Sequence, residues 1–246
     1  MTRPSGLRTQ ERLSQPEQKR DLNRDIFGIV APRYDTITRV LSFGRDAAWK
    51  DRMIARLPAG PVSVCLDLAC GTGDIAFRLA SRYPDARIIG LDLTESMLEL
   101  ARARAADAAR IQFQPGDMGR TGLASGSVDI VTGGYALRNA GDLDEALAET
   151  FRILKPGGVA SFLDFSKPPN RVLQRMELLL LRFWGGWWGL VFHRNPGVYT
   201  YIAESLRGYP DRGELAGKFR AHGFEVQSSE LHFVGIMQRI TVVKRK

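Results

Sequence analysis

Between Val64 and Asp74 the chain reads VCLDLACGTGD, an apolar run that ends in a glycine-rich turn and continues into a helical pattern. Few features constrain a fold so tightly. A strand that delivers the chain to such a turn, at the start of a helix, is the nucleotide-binding corner of a doubly wound α/β sheet. The downstream sequence keeps the alternation that this sheet needs. VSVCLDLA (62–69), ARIIGLDL (86–93), IQFQP (111–115), SVDIVTGG (127–134) and VASFLDFS (159–166) read as strands. Helical patterns lie between them: one over 74–81, one over TESMLELARARAADAA (94–109) with Thr94 as its N-cap, and LDEALAETFRIL (143–154), closed by Lys155-Pro156-Gly157-Gly158. Strands joined by helices predict right-handed crossovers and a mostly parallel sheet. The tail FEVQSSELHFVGIMQRITVVKR adds two strands meeting near 230–233, which makes seven strands with an antiparallel edge.

Three segments stand outside this frame. Residues 1–22 are polar and basic, and are expected to form a disordered tail. Residues 23–57 predict an N-terminal helical cap in two pieces, 23–31 and 36–57. Residues 168–222 turn helical again, and this insertion is the natural substrate lid of the domain spanning 23–246. At 246 residues the chain can bury a core without metal or disulfide support. Cys65 and Cys70 fit no metal or CxxC spacing, and His193, His222 and His232 form no constellation, so no metal site is expected. The N-terminus lacks the apolar run of a secretory signal. The longest apolar stretch, LLLLRFWGGWWGLVF, has fifteen residues and contains Arg182, too short for a span. A cytoplasmic protein is expected, in contact with the cytoplasmic membrane face if at all. The net charge of +8 comes from scattered basic residues without a nucleic-acid-binding motif, so nucleic acid is not an expected partner.

The turn itself is ambiguous, because Gly71-Thr72-Gly73-Asp74-Ile75-Ala76 also satisfies the dinucleotide pattern GxGxxG/A. Charge separates the two ligands. A dinucleotide brings a pyrophosphate to a turn flanked by Asp67 and Asp74, whereas S-adenosyl-L-methionine brings a sulfonium and an ammonium. At about 4 Å and an effective dielectric near 20, each unit-charge interaction is worth roughly 4 kcal/mol before desolvation. The acidic turn favours the cationic cofactor. Gly71 and Gly73 keep Cβ atoms away from a ligand, Asp92 ends the second strand where ribose hydroxyls would lie, and Asp117-Met118 offers an acceptor and an apolar edge to an adenine. Gly133-Gly134 leaves bare backbone for close approach at the end of the fourth strand.

YDTITRVLSFGRDAAWK (34–50), LDLACGTGDIAF (66–77), GLDLTESML (90–98), ALRN (136–139), RILKPGG (152–158), FSKP (165–168) and YIAESLRGYPD (201–211) follow in that order. Together they resemble the ubiquinone/menaquinone biosynthesis C-methyltransferase family, over residues 25–230. The likeness is to the demethylmenaquinone methyltransferase type within it. The resemblance implies a class I, Rossmann-like fold and methylation of a polyprenyl quinol ring. It places cofactor contacts on Thr72, Asp92, Asp117, Met118 and Gly134. The sequence departs from the family at Thr38, at Thr121-Gly122-Leu123 after the third strand, and in its tail.

A quinol carbon becomes nucleophilic once its neighbouring phenol, which titrates near 10, is deprotonated. Arg138 and Asn139, after the fourth strand, can stabilise that oxygen. Asp74 can take its proton through water, and Tyr34 can orient the ring. Arg138 has a structural alternative as a partner of Asp142 or Asp144, Tyr34 as core packing, and Asp74 as a first-turn carboxylate favoured by the helix dipole. Trp184, Trp187 and Trp188 suit a prenyl tail or a membrane interface, the four leucines before them suit either that or core packing, and Tyr201, Glu204 and Ser205 are further pocket candidates. A monomer and a homodimer are equally compatible with the sequence. The competing functions are methylation of a phenolic natural product, a dinucleotide-dependent oxidoreductase and a non-catalytic cofactor-binding protein.

Overall fold

The computed structural model of the chain describes residues 11–105 and 110–245. The first ten residues of the expected tail, the last four of the helix expected over 94–109 and Lys246 lie outside them. Seven strands form one sheet in the order β3-β2-β1-β4-β5-β7-β6. They are β1 Val64–Leu68, β2 Arg87–Asp92, β3 Ile111–Pro115, β4 Val128–Gly134, β5 Leu154–Phe165, β6 Phe224–His232 and β7 Met237–Lys244. The pairs among β1 to β5 are parallel, while β7 runs antiparallel to both β5 and β6, so the last two strands close the sheet as a hairpin.

Alternation along each strand divides the core. Leu66, Leu68, Ile89, Leu91, Val131 and Phe162 face one apolar cluster. Cys65, Ile88, Ile130 and Leu163 face the other, which is how a two-sided parallel sheet reads as a continuous apolar run. Helices α4 Asp74–Arg82 and α5 Glu95–Arg104 cover the second side, and α6 Leu143–Ile153 and α9 Arg212–Ala221 the first.

The helical cap comprises α1 Pro16–Val30, α2 Tyr34–Leu41 and α3 Asp46–Ala55. Two expectations need correction here. The segment expected as a tail to residue 22 is helical over 11–14 and again from Pro16, a residue preset for a first turn, where Arg20, Leu22 and Asn23 bury against the domain. The helix expected over 36–57 is broken at 42–45, where Phe43 and Gly44 take φ of 52° and 74°.

The insertion folds as α7 Arg171–His193 and α8 Gly197–Gly208, followed by α9. Gly185 and Gly189 let α7 and α8 touch backbone to backbone. A Cβ on either would lie 2.6 Å from the Tyr199 carbonyl oxygen or 2.7 Å from that of Asn195. Gly185 and Gly189, beside the tryptophans, therefore serve helix packing. A third apolar cluster, built on Val30, Ile37, Met97, Val198 and Tyr199, clamps the cap and the insertion together over the carboxyl ends of the strands.

Candidate active site

The turn after β1 is tied to the end of β2. Asp92 Oδ2 accepts from the Gly71 N–H and Oδ1 from the Thr94 N–H, both at 2.8 Å. Burial pushes the Asp92 carboxyl up, and these amides pull it back part of the way. Gly71, Asp92, Met118 and Gly134 line one crevice, together with Tyr34 and Asn139. Phe27 and Asn23 of α1 cover it, leaving only about 40 Å³ of free space.

The other expected cofactor residues stand behind or beside this crevice. Asp67 is fully buried below the turn. Its Oδ1 accepts from the Thr132 hydroxyl at 2.9 Å, and its Oδ2 has no partner among the described residues. Burial pushes its carboxyl up to about 7, against the opposing pulls of Thr132 and Lys50. Thr72 donates its hydroxyl to Asp35 at 2.7 Å. At Gly73, with φ of 85°, an added Cβ would meet Phe113 at 2.8 Å and Phe77 at 2.9 Å, so the chain's own rings, not a ligand, demand glycine there. Asp117 is turned away: Arg20 of α1 donates to one oxygen and the Gly119 N–H to the other at 2.7 Å.

Asp74 also departs from expectation. Lys50 donates to its Oδ2 at 2.9 Å and Arg78 to its Oδ1, so the carboxylate is already neutralised. Burial alone would raise its pKa, but the two cations outweigh burial and the net shift is downward. Of the two, only Asp67 keeps a carboxyl oxygen without a partner among the described residues.

Arg138 and Asn139 sit in a short 3-10 turn, Leu137–Asn139, after β4. The Arg138 guanidinium is buried between the rings of Phe165 and Tyr201, at 5.2 and 5.8 Å, and donates to Ser205 Oγ. Its acidic partner is Asp164 at 3.6 Å, neither Asp142 nor Asp144, and its Nε makes no hydrogen bond among the described residues. Asn139 donates to the Tyr135 carbonyl at 2.7 Å and accepts from the Tyr201 hydroxyl at 3.0 Å, which places its amide as a strut. Burial pushes the Tyr34 hydroxyl up to about 12 despite nearby Lys50.

Beside the crevice lies a second cavity of about 760 Å³, with mostly apolar walls. Phe27, Tyr34 and Tyr135 belong to both cavities, and Arg138 lines the larger one. The tryptophans divide. Trp184 stacks on Phe43 at 5.1 Å and Trp188 on Phe192 at 5.2 Å, whereas Trp187 stays 56% exposed. Tyr201 lines the large cavity, Ser205 serves Arg138, and Glu204 pairs with Arg182 and Arg207.

Several site residues escape a sequence reading. Lys50 bridges Asp46 at 2.7 Å and Asp74; only the four-residue spacing of Asp46 and Lys50 on a helix hints at the first contact. Arg20 and Asn23 reach the site from the segment expected to be a tail and the first turn after it. Glu177 lines the large cavity, and its one signal is to be the sole acid of α7.

With this geometry, similarity to known proteins gains a structural frame. The chain is 36% identical over 211 residues to the demethylmenaquinone methyltransferase of Deinococcus radiodurans, covering 85% of this chain and 88% of that protein. It is 38% identical over 212 residues to the ubiquinone/menaquinone biosynthesis C-methyltransferase UbiE of Dinoroseobacter shibae, covering 85% of each. A methyltransferase of Haloferax volcanii, solved with the Trm112 activator, shares the fold with a TM-score of 0.67 at 20% identity, covering 89% of this chain and 98% of that one. Residues 14–244 match the family described as ubiE/COQ5 methyltransferase. With that match over nearly the whole chain, the protein belongs to the ubiE/COQ5 methyltransferase family.

Proposed function

We propose that this chain transfers a methyl group from S-adenosylmethionine to a ring carbon of a polyprenyl quinol, demethylmenaquinol or its counterpart in ubiquinone synthesis. The observation that carries this reading is the shared wall of Phe27, Tyr34 and Tyr135, which joins a crevice at the glycine turn to a large apolar cavity. A methyl donor held in the first can meet an aromatic ring held in the second.

The crevice suits the cofactor. Asp67 keeps a buried acceptor with no partner, the right complement for an ammonium group. Asp92 stands at the end of β2 for ribose hydroxyls, and Met97 and Met118 give an apolar seat to an adenine. When bound, S-adenosylmethionine supplies an electrophilic methyl group that needs an electron-rich carbon in line with it.

The chain prepares that carbon. Arg138 fixes a positive charge on the cavity wall, where it lowers the cost of a quinol phenolate. Asn139, Tyr201 and Asn23 hold the turn that carries Arg138. Tyr34 stays protonated and forms the wall against which the ring is set. Asp74 is a weak base under its two cations, so its part in this scheme is to anchor Lys50 rather than to take the quinol proton.

The prenyl tail leaves through the open side of the cavity. Leu173, Met176, Leu180 and Phe183 line it and are also exposed, and they continue into Leu179, Trp187, Leu190 and Val191 along α7. No described helix is long and apolar enough to cross a membrane. The exposed stripe, flanked by Arg171, Arg175 and Arg182, fits a helix lying on an anionic lipid surface.

The test is incubation of the protein with labelled S-adenosylmethionine and both demethylated quinols, followed by mass analysis. One added methyl on either ring is the expected result. Cofactor binding without methylation of either quinol overturns the reading.

A further inference from the structure

Three charged side chains reach the wall of the large cavity: Arg138, Arg212 and Glu177. Arg212 is engaged, with Nε donating to Ser166 Oγ at 2.7 Å and Nη2 to the Gly235 carbonyl at 2.8 Å. Arg138 is held by Asp164 and Ser205. Glu177 differs. It sits on the inward face of α7, only 8% exposed, and its Oε1 is buried without any hydrogen-bond partner among the described residues. An acceptor buried in this way is costly unless a donor arrives. The described residues supply none, and the cavity it lines is large enough to admit one.

We infer that Glu177 accepts a hydrogen bond from a ring hydroxyl of the hydroquinol, and so makes the cavity select the reduced ring over the quinone. This rests on the quinol reading given above. An ionised carboxylate offers acceptors only. A hydroquinol hydroxyl donates to it, whereas a quinone carbonyl sets one lone pair against another. The discrimination has a chemical purpose, because only the reduced ring has a nucleophilic carbon, and a lipid-fed cavity meets both forms. Burial pushes the Glu177 carboxyl up to about 7, with Arg212 from α9 and Lys167 from the segment after β5 pulling it down. The side chain is therefore charged in mildly alkaline solution.

The test uses the whole chain without oxygen, at about pH 8, with 1,4-naphthohydroquinol and 1,4-naphthoquinone as probes. Wild type is expected to bind the hydroquinol roughly tenfold or more tightly than the quinone. Glu177→Gln, whose amide donates to a carbonyl, is expected to bring that ratio close to one and raise the quinol KM. Cofactor affinity should stay unchanged, and the thermal midpoint at pH 8 should be equal or higher because the amide removes a buried charge. Glu177→Leu should also lose the preference, by weakening hydroquinol binding alone. An unchanged ratio in Glu177→Gln, or no preference in wild type, overturns the assignment. If wild type methylates a quinol but the ratio ignores Glu177, only this inference fails. If it methylates neither quinol, the functional reading fails, and this inference with it.

Discussion

Burial raises the Asp67 carboxyl from an ordinary 3.8 to about 7, so near neutrality the folded protein carries a proton there that the unfolded chain has lost. Folding therefore binds a proton between about pH 4 and 7, and the stability tied to this group falls as pH rises through that window. A cation beside Oδ2 favours the charged form. Binding of S-adenosylmethionine should release a proton and tighten as pH rises from about 5 to 7, which calorimetry in buffers of different ionisation enthalpy will measure. Asp67→Asn should weaken the cofactor at least tenfold at neutral pH, flatten that dependence and leave the thermal midpoint equal or higher. An affinity indifferent to pH in wild type would put the ammonium elsewhere. Arg138→Ala should leave cofactor affinity nearly intact while turnover drops about a hundredfold or more. It should also cost about 3 kcal/mol of stability, because Asp164 would remain buried with its cation gone. Near-normal turnover would remove Arg138 from the mechanism. At this scale the sequence discloses what is local. The glycine turn, Asp92 and the Arg-Asn pair lie next to the strand ends that position them. Partnership is not local: Arg20 finds Asp117 across 97 residues, and Arg138 finds Asp164 instead of the nearer Asp142 or Asp144.

Helix α1 acts as a latch on the crevice at the glycine turn. Arg20 grips Asp117 and, at 2.7 Å, Glu145. Asn23 donates to the Asn139 carbonyl at 2.5 Å and accepts from the Tyr201 hydroxyl. The free space beneath, about 40 Å³, has room for only a few water molecules. Loading a nucleoside should therefore displace α1. Arg20→Ala should speed both entry and release of S-adenosylmethionine about tenfold or more in stopped-flow measurements, with a smaller change in equilibrium affinity. Rates equal to wild type would mean that the ligand enters without moving the helix. The helical insertion and the succession of seven strands are legible in the sequence because period and turn residues encode them. The start of α1 is not, because its composition is polar and its helix is held by contacts to Asp117, Asn139 and Glu145. The single helix expected over 36–57 fails for a related reason, since apolar period alone does not register the left-handed pair Phe43-Gly44.

Arg171, Arg175 and Arg182 accompany an exposed apolar stripe on α7. The exposed stripe from Val172 to Val191 covers twenty residues of α7, about 30 Å at 1.5 Å per residue, and part of it is the wall of the large apolar cavity. With a net charge of +8, the chain should approach anionic vesicles electrostatically and be held there by the stripe. The two contributions separate experimentally. Salt should weaken capture by vesicles without abolishing it, whereas replacing Leu179 (67% exposed) and Trp187 with glutamate should abolish it in low salt too. The same double variant should still methylate a water-soluble short-tailed quinol at a rate within a fewfold of wild type, because neither substitution touches Arg138 or the glycine turn. It should fail on a long-tailed quinol embedded in vesicles. If vesicle binding survives both glutamates, lipid is not what covers the stripe. The solution mass of the protein would then tell whether a second copy does, since an apolar face of this extent on a free monomer is exceptional.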